Sequence, residues 1–303
     1  MTTFSIAGVQ LVLEPKNNID AMINMIARVK ARFPWVDMVM FGELAPQGYS
    51  THNAEALPSK TEARFQEAAA KHGVWVLPGS YFVREGGQIF NTAPVIDRSG
   101  TVVGRYRKMF PFYPYEAGVA PGQDFLTFDV PEVGRFGVSI CYDMWFPETT
   151  RTLAWMGAEV ILHPTLTNSI DRDVERTMVR ATAVQNQCYV VDVNNGGGAM
   201  GVGRSSIVGP EGETIYEAGS GEEILAYELD LARVRRVRER GIFGLGQVLK
   251  SFRDSPVAFP PYVQGHASPS LQALGPLQLQ QSASAEAPQA SSAQAHITAV
   301  SAE

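Results

Sequence analysis

Arg135-Phe136-Gly137-Val138-Ser139-Ile140-Cys141-Tyr142-Asp143-Met144-Trp145-Phe146-Pro147-Glu148 contains a change of secondary structure and, at the change, a cysteine. Residues 135–140 alternate and are β-prone, which predicts a short buried strand. Pro147 suits a first helical turn, and Leu153, Ala154 and Met156 recur at helical spacing between Glu148 and Gly157. Cys141 therefore falls where a strand stops and a helix begins. Such a junction offers free backbone N–H groups and the positive end of a helix, a setting that suits a thiolate and an oxyanion. Against this stands the plain reading of a free cysteine as a small buried hydrophobe. Other residues have to decide between the two.

Outward from this junction, strands and helices alternate. Residues 4–10 read as a strand, and Asn17 or Asn18 caps a helix to about Arg32 with Ile19, Met22, Ile23, Ile26 and Val29 on one face. Residues 36–41 form a nearly continuous apolar run, as in a strand covered on both sides, and end in Gly42-Glu43-Leu44. A helix over 60–72 closed by Gly73, one strand over 74–83, and turns at 84–88 and 97–100 leading into strands 89–97 and 101–106 follow. Beyond the junction come a strand at 159–163, a helix at 171–187, and strands at 188–194, 203–208, 214–216 and 223–229. This order predicts an α/β fold. Residues 107–124 break the pattern: Pro111, Pro114 and Pro121 are interleaved with Phe110, Phe112, Tyr113 and Tyr115, which predicts a stiff, functional loop.

The whole chain sets bounds on function. With 303 residues, 45% of them hydrophobic and 18% charged, it has the make-up of a globular protein able to bury a large core. A formal charge of −6 argues against nucleic acid or an anionic membrane as a partner. Arg233 to Arg240 is the one basic cluster and reads as a solvated helix face. Two cysteines, Cys141 and Cys188, provide neither a disulfide framework nor metal-ligand spacing, so a reduced, cytoplasmic setting without a metal is expected. Cys188 opens a buried strand and reads as structural, and His163 reads as a packed side chain. Met1-Thr2-Thr3-Phe4 lacks the charged flank and long apolar run expected of a signal peptide, and no run reaches the roughly 18 apolar residues of a membrane span. From residue 264 onward Ala, Ser, Gln and Pro dominate, so a folded domain over 1–263 and a disordered tail over 264–303 are expected.

Three charged residues occupy places a core would not choose: Glu43 directly after a hydrophobic strand, Lys108 opening the aromatic loop, and Glu116 eight positions further on. Singly, each has an ordinary account as a solvated side chain. Together with Cys141 they lie in motifs in a fixed order: Phe41-Gly42-Glu43-Leu44 with Gly48-Tyr49, Tyr106-Arg107-Lys108, and Ser139-Ile140-Cys141-Tyr142-Asp143 with Phe146-Pro147-Glu148. Arg180-Ala181, Gln185-Asn186-Gln187-Cys188-Tyr189-Val190, Asn194-Asn195 and Gly203-Arg204-Ser205-Ser206-Ile207-Val208-Gly209-Pro210 continue the series. On these motifs the chain resembles the nitrilase, or carbon–nitrogen hydrolase, superfamily over roughly residues 3–262.

The resemblance implies a four-layer α-β-β-α sandwich, a homo-oligomer built from dimers, and no organic cofactor or metal. Ile242 to Tyr262, with Phe243, Leu245, Val248, Leu249 and Phe252, is a candidate intersubunit arm. It also implies a Glu–Lys–Cys triad. Cys141 would be the nucleophile and Glu43 its general base, while Lys108 and the backbone N–H of Tyr142 would hold the oxyanion. Glu116 would position substrate and water. A poorly electrophilic carboxamide needs these three functions, and the product would be a thioester that water cleaves. Phe112, Tyr142, Trp145 and Thr165 are expected to line the pocket. Cys-Tyr-Asp followed by Phe-Pro-Glu is similar to the amidase and carbamoyl-hydrolase branches, and the 108–116 loop to aliphatic amidases and formamidases. Trp145 is shared more with carbamoylputrescine-type amidases, and Phe112 stands where aliphatic amidases carry Trp. The expected activity is hydrolysis of a small carboxamide to acid and ammonia. N-carbamoyl-amide hydrolysis, nitrile hydrolysis and a non-catalytic scaffold are the alternatives, and a papain-like mechanism lacks an evident His partner.

Overall fold

A computed structural model describes residues 3–113, 115–263, 268–275 and 277. They divide after Ala258 into two units. In chain order the first unit contains β1 (Thr3–Gln10), α1 (Ile19–Arg32), β2 (Met38–Phe41), β3 (Glu55–Ala56), α2 (Lys60–His72), β4 (Trp75–Leu77), β5 (Tyr81–Glu85), β6 (Gln88–Ile96), β7 (Val102–Arg107), β8 (Leu126–Val130) and β9 (Gly134–Val138). It continues with α3 (Pro147–Trp155), β10 (Val160–Thr165), α4 (Arg172–Asn186), β11 (Tyr189–Asn194), β12 (Ser206–Val208), β13 (Thr214–Glu217), β14 (Glu223–Asp230), α5 (Leu231–Arg240) and α6 (Val248–Asp254).

The strands form two sheets. One has eight strands in the order β14-β1-β2-β4-β6-β5-β3, with β7 also paired to β6; the other has six, in the order β13-β12-β11-β10-β9-β8. Period-two alternation explains why the sheets stack and are covered outside. Phe4, Ile6, Met38 and Met40 of the first sheet meet Val138, Val160, Leu162, Val191 and Val193 of the second in one buried cluster. The neighbouring positions point the other way: Ala7, Val9, Val39 and Phe41 pack on Met22, Ile26, Val29, Phe65 and Ala69 of α1 and α2. Likewise Ile161 and Val190 pack on Leu153, Val179 and Ala183 of α3 and α4. The result is the expected α-β-β-α sandwich. Its central strands are buried on both faces, and each fully buried aliphatic side chain stabilises it by about 2 kcal/mol.

Several local expectations match the structure. Helix α2 spans Lys60–His72, with Ser59 Oγ accepting from Glu62 N–H and Gly73 closing it at φ +59°. Pro147 stands at the start of α3.

Three local expectations need correction. The single strand expected over 74–83 is two, β4 and β5. Gly79 adopts φ +80° between them, and a Cβ there would stand 1.8 Å from Gly42 O, so the chain turns where it presses on the end of β2. Strand β8, which pairs antiparallel with β9, was not expected, because Phe128 and Val130 alternate over too short a span to stand out. Strand and helix are also not joined directly at Cys141: a 3-10 turn, Cys141–Trp145, intervenes and carries the chain to α3.

In the second unit, Pro260–Tyr262 form a 3-10 turn and α7 spans Pro269–Gln272. Of the tail expected over 264–303, residues 264–267, 276 and 278–303 lie outside the described residues.

Candidate active site

Strands β1, β2 and β4 run parallel in one sheet, and β9, β10 and β11 run parallel in the other. The residues following β2, β9 and β10 converge at one cavity of about 410 Å³. Crevices at the carboxyl ends of parallel strands are where α/β folds present free backbone and mobile chemistry.

Glu43 follows β2 and is locked from three directions. Its N–H donates to Thr165 O at 3.1 Å, its carbonyl accepts from Asn195 Nδ2 at 2.9 Å, and Leu44 N–H donates to Ser80 Oγ at 3.1 Å. Lys108 follows β7, where its N–H donates to Asn91 O at 2.9 Å and its carbonyl accepts from Gly122 N–H at 2.8 Å. A Cβ on Gly122 would fall 2.2 Å from Arg107 O, so only glycine lets the aromatic loop close there. Cys141 begins the 3-10 turn at φ +45°, a strained conformation for a side-chain-bearing residue that aims Sγ into the cavity. Asp143 ties this turn to the aromatic loop: its carboxylate accepts from Ile140 N–H, Met109 N–H, Phe110 N–H and Tyr106 O–H at 2.7–3.1 Å.

The structure brings Glu43, Lys108, Glu116 and Cys141 together in this cavity. Lys108 Nζ lies 2.8 Å from Glu43 Oε1 and 2.6 Å from Glu116 Oε2, with all three side chains almost wholly buried. Asn91 Nδ2 donates to both carboxylates at 2.8 Å, Leu166 N–H to Glu43 Oε2 at 3.0 Å, and Phe112 N–H to Glu116 Oε2 at 2.7 Å. Burial raises the Glu43 carboxyl to about 7; Lys108 opposes the shift and the Glu116 charge adds to it. Burial pushes the Cys141 thiol well above its ordinary value, with Glu43 and Glu175 adding to the shift and Lys108 opposing it. No α-helix starts at the sulfur, and the nearby ammonium is already shared by two carboxylates, so little offsets the burial that favours the thiol over the thiolate.

Of the expected pocket residues, Phe112, Tyr142 and Trp145 line the cavity, and Tyr49 and Tyr115 join them. The Phe112 and Tyr142 rings are 4.8 Å apart, and those of Tyr142 and Trp145 are 5.7 Å apart. Thr165 does not line it, contrary to expectation. It ends β10 fully buried, and its hydroxyl donates to Glu175 Oε1 at 2.8 Å behind the wall. His163 is likewise buried behind the site, with Nδ1 3.1 Å from Ser139 O and its pKa lowered by burial. Burial holds the Cys188 thiol at about 12.

Glu175 was missed. It lies on α4, lines the cavity and places Oε1 3.9 Å from Cys141 Sγ. Thr165, Thr167 and Arg172 hold its carboxylate, and Arg172 reaches Asp192 at 2.5 Å. In the sequence it is one more acidic residue in a first helical turn, a common place for a carboxylate, and it belongs to no motif quoted above. Among the described residues no group of three His, Cys, Asp or Glu side chains is placed to hold a metal ion, and no helix is long and apolar enough to cross a membrane.

Residues 5–239 match the family model for carbon–nitrogen hydrolases. Omega-amidase NIT2 of Homo sapiens is 26% identical over 258 residues, covering 79% of this chain and 93% of that protein. The 2-oxoglutaramate amidase of Bacillus subtilis is 30% identical over 212 residues, covering 67% of this chain and 82% of that one. Among solved structures, Saccharomyces cerevisiae Nit3, a member of branch 10 of the nitrilase superfamily, superposes with a TM-score of 0.73 at 27% identity, covering 78% of this chain and 94% of that one. A mutant amidase from Nesterenkonia sp. AN1, with the acetamide moiety of fluoroacetamide covalently added at its active site cysteine, gives 0.69 at 25% identity, covering 76% and 92%.

Proposed function

The chain belongs to the carbon–nitrogen hydrolase family, and from that premise we propose that it is an amidase converting a small carboxamide to a carboxylic acid and ammonia through a thioester on Cys141. The observation that carries this reading is the Lys108 ammonium held between Glu43 and Glu116 in the cavity that Cys141 lines.

Cys141 Sγ attacks the amide carbon while the thiol proton passes to Glu43, whose raised pKa makes it a base matched to neutral pH. A thiol that keeps its proton at rest calls for such a base. The carbonyl oxygen becomes an oxyanion facing the Lys108 ammonium and the backbone N–H of Tyr142. The carbon–nitrogen bond breaks, and the nitrogen takes the proton from Glu43 and leaves as ammonia. Water then gives a proton to Glu43 and adds to the thioester, the carbon–sulfur bond breaks, and the sulfur regains its proton. Glu116, fixed by Asn91 and Phe112 N–H, orients the amide and the water. Among the described residues no histidine lines the cavity, which counts against a papain-like dyad.

A panel of amides, N-carbamoyl compounds and nitriles separates the possibilities. Ammonia release from amides without carbon dioxide, together with a mass increase on the protein equal to the acyl group, is the expected result. Cys141→Ala should abolish both. Turnover confined to N-carbamoyl compounds or nitriles, or ammonia release that survives Cys141→Ala, overturns the reading.

A further inference from the structure

The charges around the cavity bear on which acyl group fits. Lys108 is the one cation among the described lining residues, and Glu43 and Glu116 occupy it. The nearest cation behind the wall, Arg172, is bonded to Glu175 at 2.7 Å and to Asp192 at 2.5 Å. Two further carboxylates line the cavity. Glu175 is buried beside the sulfur, where its Oε1 accepts from Thr165 and lies 3.9 Å from Cys141 Sγ, so a carboxylate stands at the reacting group. Asp171 lies one turn earlier on the same segment, exposed at the mouth. Opposite these acids in composition are aromatic rings: Phe112 and Tyr142 inside, with Tyr115 and Trp145, 79% and 38% exposed, toward solvent.

From this arrangement, and resting on the amidase reading above, we infer that the cavity selects an amide whose acyl chain carries an amine cation and rejects one that ends in a carboxylate. An ammonium among these rings gains cation–π attraction and Coulomb attraction to Glu175 and Asp171. A carboxylate-ended chain meets two anions and, among the described lining residues, no unoccupied cation, and burying it unpaired is costly. Discrimination here would come chiefly from repulsion built into the wall.

The test uses the intact protein and three amides of matched length: 4-aminobutanamide, pentanamide and glutaramate. Binding to the Cys141→Ala variant is measured by calorimetry, apart from ammonia release by the unaltered enzyme. The expected order is 4-aminobutanamide at least about tenfold tighter than pentanamide, and glutaramate at least about tenfold weaker, with both gaps narrowing at 1 M salt. Asp171→Asn and Glu175→Gln should each narrow the amine preference, and the Asp171 change, lying at the exposed mouth, keeps the test free of folding effects. Binding of glutaramate as tight as pentanamide, no preference for the amine, or no binding of any of the three overturns the inference. Failure to release ammonia with the binding order intact instead sinks the amidase reading and leaves the charge selection standing.

Discussion

Lys108 is a cation with two anionic neighbours, and this ratio sets the chemistry of the residues around it. One ammonium divided between Glu43 and Glu116 leaves burial and the Glu175 carboxylate to push the Cys141 thiol up, and in the proposed mechanism Cys141 depends on Glu43 as its base. Glu43 works as a base only when ionised, and its pKa lies at about 7. Activity should therefore rise with pH through about 7 and fall about tenfold per pH unit below it, an acid limb read from kcat/KM. Glu43→Gln should lower kcat by roughly 10²–10⁴ and flatten that limb. A limb near 4.5, or one unchanged in the variant, would assign the base elsewhere. At this scale Glu43, Lys108 and Glu116 stood out in the sequence because each follows or interrupts an apolar pattern. Glu175 did not, since a first-turn acid on a helix looks the same whether or not a sulfur stands beside it.

Strands and turns, rather than side chains alone, hold these groups in place. Glu43 is positioned because β2 ends against Gly79, whose missing side chain lets its backbone approach Gly42. Gly79→Ala would require a Cβ 1.8 Å from Gly42 O at φ +80°. The change should destabilise the fold by about 3 kcal/mol or more, seen as a lower urea midpoint with an unchanged slope, and should reduce activity in the fraction that folds. A shift below about 0.5 kcal/mol would show that the β2–β4 corner is not close-packed. The sequence shows Gly79 as a small residue within a strand-like run. The close approach that gives it a role depends on a partner 37 positions away. The Cys141 turn behaves similarly. Its strand and helix are legible from alternation and Pro147, whereas the 3-10 segment between them is set by Asp143 reaching back to Ile140 N–H and across to the aromatic loop.

The molecule as a whole rests on two sheets packed face to face with helices outside, all within residues 1–258. A chain ending at Ala258 should keep its Tm within about 3 °C and retain the proposed ammonia-releasing activity, because among the described residues no strand of either sheet and no lining residue of the cavity lies beyond that point. A larger loss would mean that residues 259–303 support the fold or an assembly. Phe243 and Leu245, 77% and 83% exposed, are apolar side chains facing solvent. By itself the sequence determined most of the succession of strands and helices, β8 and the break between β4 and β5 excepted, and the residue types that meet in the cavity, because periodicity and local turn chemistry act over a few positions. Only the tertiary structure decided that Glu175 and Asp171 share the cavity with Cys141, that Thr165 is absent from its lining, and that burial pushes the thiol up. Those outcomes depend on distances and dielectric between groups from separate strands and helices, which no stretch of chain contains.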